Sequence, residues 1–158
     1  MHSRIFQIST KPIGEDDYIT ESDYYDHWFT HQIADYVSDD SNRDEDIDWL
    51  KEYSNGFDIF RDNNGNYTII VNNKEKYFEN AYDRFLRELD RIGRPTLEQF
   101  SQRIDLWSLN DACEDKYGFY VEYCDDDNGH DLITLDDFIR RCDACTTYYL
   151  GGTIDYHY

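Results

Sequence analysis

The sequence has little positive charge, little proline and no long apolar run. Lysine and arginine number 15 against 35 aspartate and glutamate residues, for a formal net charge of −20. Because phosphate contacts need basic side chains, this balance argues against direct binding to DNA, RNA or an anionic membrane. Only two prolines occur in 158 residues. No stretch approaches the roughly 18 apolar residues of a membrane span, so a globular, non-membrane chain is expected.

The chain has four cysteines. The residues between Met1 and Thr10 lack the apolar run of an export signal, so a cytoplasmic protein with free thiols is expected. Cys142 and Cys145 form a Cys-x-x-Cys pair, but the pair lies where a helix is expected to end. Redox pairs of this type lie at helix starts, and no second close pair completes a zinc site. No cofactor is therefore expected.

What the chain has instead is acid interspersed with aromatic residues. Residues 15–58 contain fifteen acidic and two basic side chains, and residues 104–137 contain eleven and one. Nine aromatic residues interrupt the first segment, whereas disordered acidic segments are usually poor in them. The first segment is therefore expected to be folded. The sequence leaves open whether the two acidic regions share one face.

The apolar periodicity predicts a single α+β domain over residues 1–158. Strands are expected at 3–9, 57–61, 67–71 and 119–123, and helices at about 20–37, 42–55, 73–92, 106–117 and 134–141, with a capped turn at Thr96. Residues 125–131 are expected to form an acidic loop, and Gly151–Gly152 a turn between final strands at 146–150 and 153–158. Without regular β-α-β alternation, we expect a mainly antiparallel sheet with several helices packed on it, in which the terminal strands meet.

Closely spaced carboxylates can imitate the phosphates of duplex DNA, which carries one charge about every 1.7 Å along its axis. Such carboxylates could occupy the basic groove of a nucleic-acid-processing protein. The alternative is an acidic surface that serves solubility or stabilises helix starts. The candidate partner-binding residues are Asp16, Asp17, Asp39, Asp40, Asp44, Glu45, Asp46, Asp125, Asp126, Asp127, Asp136 and Asp137.

A metal site is the second candidate. Asp23, His27, His31 and Asp35 follow one another at four-residue intervals. On one helix this spacing would stack two imidazoles between two carboxylates, which are suitable ligands for zinc. No glutamate follows His27, so the zinc-protease motif is absent. Exposed aspartate and histidine at this spacing more often form ordinary surface pairs, and no metal is assigned.

The chain resembles short acidic proteins of bacterial mobile elements. The resemblance lies in the opening Met1-His-Ser-Arg-Ile-Phe-Gln-Ile-Ser-Thr10, the acidic helices and the closing Tyr148-Tyr-Leu-Gly-Gly-Thr-Ile-Asp-Tyr-His-Tyr158. It covers the whole chain as overall character, without a functional motif. Some proteins of that genetic setting block restriction or CRISPR enzymes by imitating DNA, so the resemblance implies an inhibitor or regulator of this kind.

The expected function is therefore non-enzymatic binding of a basic protein surface, as by a DNA mimic that acts on a nucleic-acid-binding enzyme. One alternative is a structural or adaptor domain that binds a protein through a tyrosine-rich apolar patch, since the chain has fifteen tyrosines. The other is a metal-dependent enzyme that uses the face of His27 and His31. No nucleophile elbow, phosphate loop or dinucleotide fingerprint occurs.

Overall fold

The fold is built on one sheet with a core on each face. The computed structural model describes residues 1–113, 115–125 and 129–158, and of Asp125 only the backbone. The strands are β1 (His2–Ser9), β2 (Tyr36–Ser38), β3 (Phe57–Arg61), β4 (Tyr67–Val71), β5 (Tyr120–Asp125), β6 (Gly129–Thr134) and β7 (Thr147–His157). The helices are α1 (Trp28–Gln32), α2 (Arg43–Glu52), α3 (Lys74–Ile92), α4 (Leu97–Ser101), α5 (Trp107–Cys113) and α6 (Leu135–Arg141). Two 3₁₀ turns span Glu15–Asp17 and Glu21–Tyr24.

The sheet has the strand order β3-β4-β7-β1-β5-β6, and β2 pairs with the end of β7. The pairing of β1 with β5 is parallel and the other pairings are antiparallel. The expected α+β fold with a mainly antiparallel sheet is thus confirmed. The terminal strands also meet as expected, with His2 opposite His157.

Alternating residues of β1 point to opposite faces of the sheet and belong to different cores. Ile5 lies in the core beneath the 3₁₀ turns and α1, where Tyr24 and Phe29 are also buried. Phe6 and Ile8 lie in the larger core on the opposite face, together with buried residues of α2 and α6. Gln7 lies between them, at the point where the register of β1 against β7 shifts. Its side chain is buried on the first face.

The predicted turn at Gly151–Gly152 is wrong, because β7 runs through both glycines without a break. Their role is close packing. The Gln7 side-chain oxygen accepts a hydrogen bond from the Gly152 amide at 3.0 Å and would collide with a Cβ at Gly151. A Cβ at Gly152 would lie 2.9 Å from the Tyr18 Cβ. These glycines therefore admit neighbouring groups to the strand rather than reversing it.

The helix predicted over residues 20–37 is also wrong. The segment divides into a 3₁₀ turn, the five-residue α1 and strand β2. The Thr30 hydroxyl donates to the carbonyls of Tyr24 (3.0 Å) and His27 (2.8 Å), which fixes the bend before α1. Tyr36 and Val37 then pair with β7. Their apolar spacing is compatible with a helix, but a neighbouring strand edge was available for β pairing.

The starts predicted near residues 42, 73, 96 and 134 are confirmed, and a side chain caps each of them. Asn42, Asn73, Thr96 and Thr134 accept amide hydrogen bonds at the starts of α2, α3, α4 and α6. Of the helix predicted over 106–117, α5 forms Trp107–Cys113, Glu114 lies outside the described residues, and residues 115–117 are not helical. The acidic loop predicted over 125–131 is wrong at both ends, because β5 reaches Asp125 and β6 begins at Gly129. Residues 126–128 of that prediction lie outside the described residues.

Helices α3 to α5 (residues 74–113) are here called the helical lobe. The helix α3 packs on α5, and its first turns reach the larger core through Tyr77 and Phe78. Lys74 anchors its start by donating to the carbonyls of Arg140 (2.8 Å) and Cys142 (2.5 Å). No residue of α3 is fully buried. Among the described residues, no helix combines the length and apolarity that crossing a membrane requires.

Candidate acidic binding surface

Arg43 joins two acidic stretches that are distant in sequence. Its guanidinium donates to the carbonyls of Gly151 (2.6 Å) and Leu150 (2.8 Å) in the middle of β7. The same group lies 4.9 Å from the ring centroid of Tyr18, which directly follows the first 3₁₀ turn. A cation–π contact of this kind is favourable. It holds the 3₁₀ turn that carries Asp16 beside the start of α2.

Six exposed carboxylates of the predicted set lie on the segments that meet at this junction and are here called the acidic edge. They are Asp16, Asp17, Asp39, Asp40, Asp44 and Glu45. Asp39 and Asp40 belong to the connection from β2 to α2, which Ser41 holds against Thr153 at 3.4 Å. Asp44 forms a salt bridge with Arg61 at 3.2 Å, and both side chains are more than half exposed. A pair so open to water neutralises little of the local field.

Asp46 does not belong to this surface, so its assignment as a partner-binding residue is wrong. It is only 3% exposed. Its carboxylate accepts from the Thr153 hydroxyl at 2.7 Å and from Arg4 Nε at 2.5 Å. Arg4 also pairs with Asp155, so the three charges form one internal network between α2 and the central strands. Asp46 therefore stabilises the fold and is unavailable to a partner.

Asp136 and Asp137 lie apart from the acidic edge, in the first turn of α6. Asp137 pairs with Arg140 at 3.0 Å and Arg141 at 3.7 Å. Asp136 accepts from the Tyr77 hydroxyl at 2.9 Å, and its burial raises its pKa. These two carboxylates serve local contacts. Asp126 and Asp127 lie outside the described residues, as does the side chain of Asp125.

The two acidic regions do meet at one cavity of about 490 Å³, on the face that carries the 3₁₀ turns. Asp16, Asp17 and Asp23 line it from the first region, and Glu122 of β5 lines it from the second. Glu122 is 9% exposed and accepts from the Tyr24 hydroxyl at 3.3 Å. Burial raises the pKa of Glu122. Asp16 and Asp17 thus link the acidic edge to this acidic cavity.

The sequence reasoning missed Glu122. Its only signal is a single acid within the apolar run of β5, between Val121 and Tyr123. His130 Nδ1 lies 3.4 Å from the Glu122 carboxylate and 3.3 Å from the Cys124 sulfur. Burial and the nearby Glu122 charge raise the pKa of Cys124, which keeps the thiol protonated. The trio therefore lacks the thiolate that nucleophilic cysteine chemistry requires.

The predicted helical metal face is not formed. Asp23 bonds the backbone of Thr20 at 2.8 Å, and His27 caps the start of α1. Asp35 lies beyond α1 and pairs with His157 at 3.2 Å. Burial lowers the pKa of His27. Within the described ranges, no three His, Cys, Asp or Glu side chains are placed to hold a metal ion, and His31 belongs to no such group.

A second concave feature, of about 660 Å³, lies between α2, α3 and the segment before β5. Trp49, Tyr53 and Tyr117 line it, and charges of both signs face it, including Arg87 and Asp115. Burial raises the pKa of Asp115, and the neighbouring Asp136 and Asp111 raise it further. Because its charges are mixed, this aromatic cleft does not select a ligand of one sign.

The exposed tyrosines occur at several places in the fold. Tyr25 follows the second 3₁₀ turn, Tyr36 lies on β2 and Tyr82 on α3, and Tyr53 and Tyr117 line the aromatic cleft. The exposed apolar residues instead concentrate in the helical lobe, where leucine, phenylalanine and tryptophan predominate.

Comparison with protein-family models, with curated proteins and with solved structures finds no match for this chain. Function is therefore inferred from the chemistry of these surfaces.

Proposed function

We propose that the protein is a non-enzymatic binding protein whose acidic edge engages the basic surface of a nucleic-acid-processing protein in place of DNA. The observation that carries this proposal is the placement of six exposed carboxylates on the segments that meet at the junction of Arg43 and Tyr18. Carboxylates on a folded scaffold are held near one another without the ordering cost of a flexible chain. The partner's arginine and lysine side chains would pair with them as they pair with phosphates.

The acidic cavity supports the same proposal. It adjoins the acidic edge through Asp16 and Asp17, and its volume of about 490 Å³ accommodates a lysine or arginine side chain. A cation that enters beside Glu122 would favour the ionised carboxylate, which burial disfavours in the free protein. One basic side chain of the partner would thus be recognised in a cavity while others pair along the edge.

Capture from cell lysate tests the proposal. Immobilised protein is incubated with lysate at about 100 mM and about 500 mM salt, and the bound proteins are identified by mass spectrometry. Screening shortens from about 10 Å to a few Å across this range, so an electrostatic partner is retained only at the lower salt. We expect the captured proteins to be nucleic-acid-binding and to be released by added duplex DNA. Partners retained equally at both salts and indifferent to DNA would refute the proposal.

A further inference from the structure

The helical lobe carries half of the large apolar residues that the described chain exposes. Fourteen such residues are exposed, and seven of them fall within residues 74–113. These seven are Tyr82, Leu86, Leu89, Leu97, Phe100, Leu106 and Trp107. A concentration of this kind on a globular protein marks an interaction surface.

Part of this surface is a regular stripe along α3. Its inner face turns Ala81 and Phe85 towards neighbouring elements, where both are half-buried. Tyr82, Leu86 and Leu89 follow at spacings of four and three residues. At about 100° per residue these three lie within about 60° of one another on the helix surface. The stripe is exposed because no other described element covers it.

Helix α4 carries further exposed apolar residues beyond the end of α3. Only Gly93, Arg94, Pro95 and Thr96 separate the two helices, so α4 begins within about 18 Å of the end of α3. Leu97 of α4 is 84% exposed and Phe100 is 69% exposed. The three stripe residues and the two α4 residues together expose the equivalent of about three whole large side chains, or roughly 600 Å². This is about three quarters of the roughly 800 Å² that each partner contributes to a standard protein interface.

The charge of the lobe indicates which partner can cover it. The lobe holds seven basic and eight acidic residues, whereas the rest of the chain holds eight and twenty-seven. Two copies of so acidic a protein repel each other across most of their surfaces. The lobe is nearly neutral, so two copies can approach there without that repulsion. A basic partner, in contrast, would be steered towards the acidic edge.

Two oppositely charged residues lie on either side of the stripe along the chain. Glu79 flanks the start of the stripe and Arg94 follows the end of the helix, and neither side chain has an ion-pair partner in the part of the chain that the structure describes. The midpoint between them falls next to Leu86, between Leu86 and Arg87. If two α3 helices pack antiparallel about Leu86, Glu79 of each copy faces Arg94 of the other. A parallel arrangement would instead place Glu79 of one copy beside Glu79 of the other.

We propose that this surface binds a second copy of the chain, with the α3 helices antiparallel across a two-fold axis near Leu86. The same patch then serves both protomers, as an isologous interface requires. The apolar stripes would be buried at the centre, and two Glu79–Arg94 pairs would flank them. This inference rests on the helical lobe alone and is independent of the acidic edge.

Sedimentation equilibrium of the full chain from about 1 to 100 µM tests the proposal. We expect the wild type to approach twice the 19.0 kDa chain mass. The double variant Leu86→Glu/Leu89→Glu should weaken association about 100-fold, because it places charge in the buried centre. Phe60→Glu is the matched control, since Phe60 is 43% exposed, as Leu89 is, but lies on edge strand β3. This control should dimerise like the wild type.

A charge-swap series tests the orientation. Arg94→Glu should weaken the dimer about 10-fold, because it places two acids opposite each other, and adding Glu79→Arg should restore it. Circular dichroism confirms that each variant folds. A wild type that stays monomeric at about 100 µM overturns the proposal, as does a Phe60→Glu variant that dissociates like the leucine variant. Failure of the swap to restore association overturns the antiparallel arrangement.

Discussion

Asp46 and Asp44 lie two residues apart in α2, yet they should respond very differently to the same substitution. Asp46 is 3% exposed and bonds Arg4 and Thr153, whereas the Asp44 side chain is 61% exposed. Removing one partner of a buried ion pair costs about 3–5 kcal/mol, because the other charge stays buried without compensation. In the Asp46→Asn variant the new amide would keep a bond to Thr153, and Asp155 would still pair with Arg4. The cost of this substitution should therefore lie near the lower limit, at about 3 kcal/mol.

A chain of this size loses about 2–4 °C of Tm per kcal/mol, so Asp46→Asn should lower Tm by about 6–12 °C. Thermal unfolding followed by circular dichroism at pH 7 measures the change, and urea unfolding checks it. Asp44→Asn is the matched control and should leave Tm almost unchanged, since its pair with Arg61 is open to water. Equal Tm values for the two variants would refute the assignment of Asp46 to the internal network.

Two further predictions concern the strands. Gly151→Ala should destabilise the protein by about 1–3 kcal/mol, because the new Cβ meets Gln7 and lies 2.8 Å from Ile13 Cδ1. Gly14→Ala should be tolerated, because Gly14 has a φ of −72° and the new Cβ would lie no closer than 3.4 Å to the Asp17 carboxylate. Equal urea midpoints for the two variants would contradict the packing role of Gly151. Burial raises the pKa of Glu122 in the folded state, so the destabilisation caused by its ionisation is absent below its unfolded pKa and grows as pH rises through the folded pKa. Glu122→Gln should therefore raise Tm at about pH 8 and change it little at about pH 4, and a Tm that falls at the higher pH would contradict this reasoning.

Local sequence signals predicted most of the fold because the groups that act are neighbours in the chain. Asn73 bonds the Lys76 amide at 2.9 Å, three residues away, and Gly93 ends α3 with a positive φ of 59°. The hairpin of β3 and β4 turns at Gly65, whose φ is 86°. Such contacts need only the few residues on either side. The α+β class followed from the order of these elements.

The errors arose where distant residues decide the structure. Gly151–Gly152 has the composition of a turn, but Gln7 from β1 occupies the space that the glycines leave. The residues around Tyr36 have helical spacing, but β7 offers them an edge to pair with. Tertiary contacts of this kind override local preference.

The candidate site likewise has features that local sequence predicts and features that depend on distant residues. Its acidic composition is plain in the sequence, but only the fold separates the carboxylate of Asp46 from its exposed neighbours. The contact of Arg43 with Tyr18 spans 25 residues and leaves no local pattern. The sequence could therefore predict that an acidic surface exists, but not which carboxylates share it.

Capture by two variants of equal charge tests the proposed binding most directly. One neutralises the acidic edge at four positions, Asp39→Asn, Asp40→Asn, Asp44→Asn and Glu45→Gln. The other neutralises four acids of the helical lobe, Glu75→Gln, Asp83→Asn, Asp90→Asn and Glu98→Gln. Both change the net charge from −20 to −16, so only the location of the lost charge differs.

At about 100 mM salt, we predict that the lobe variant captures the same nucleic-acid-binding proteins as the wild type. The edge variant should bind them about 30-fold more weakly, as expected for four pairs of about 0.5 kcal/mol each. Equal capture by the two variants would contradict a specific role for the acidic edge and would leave net charge as the only contribution.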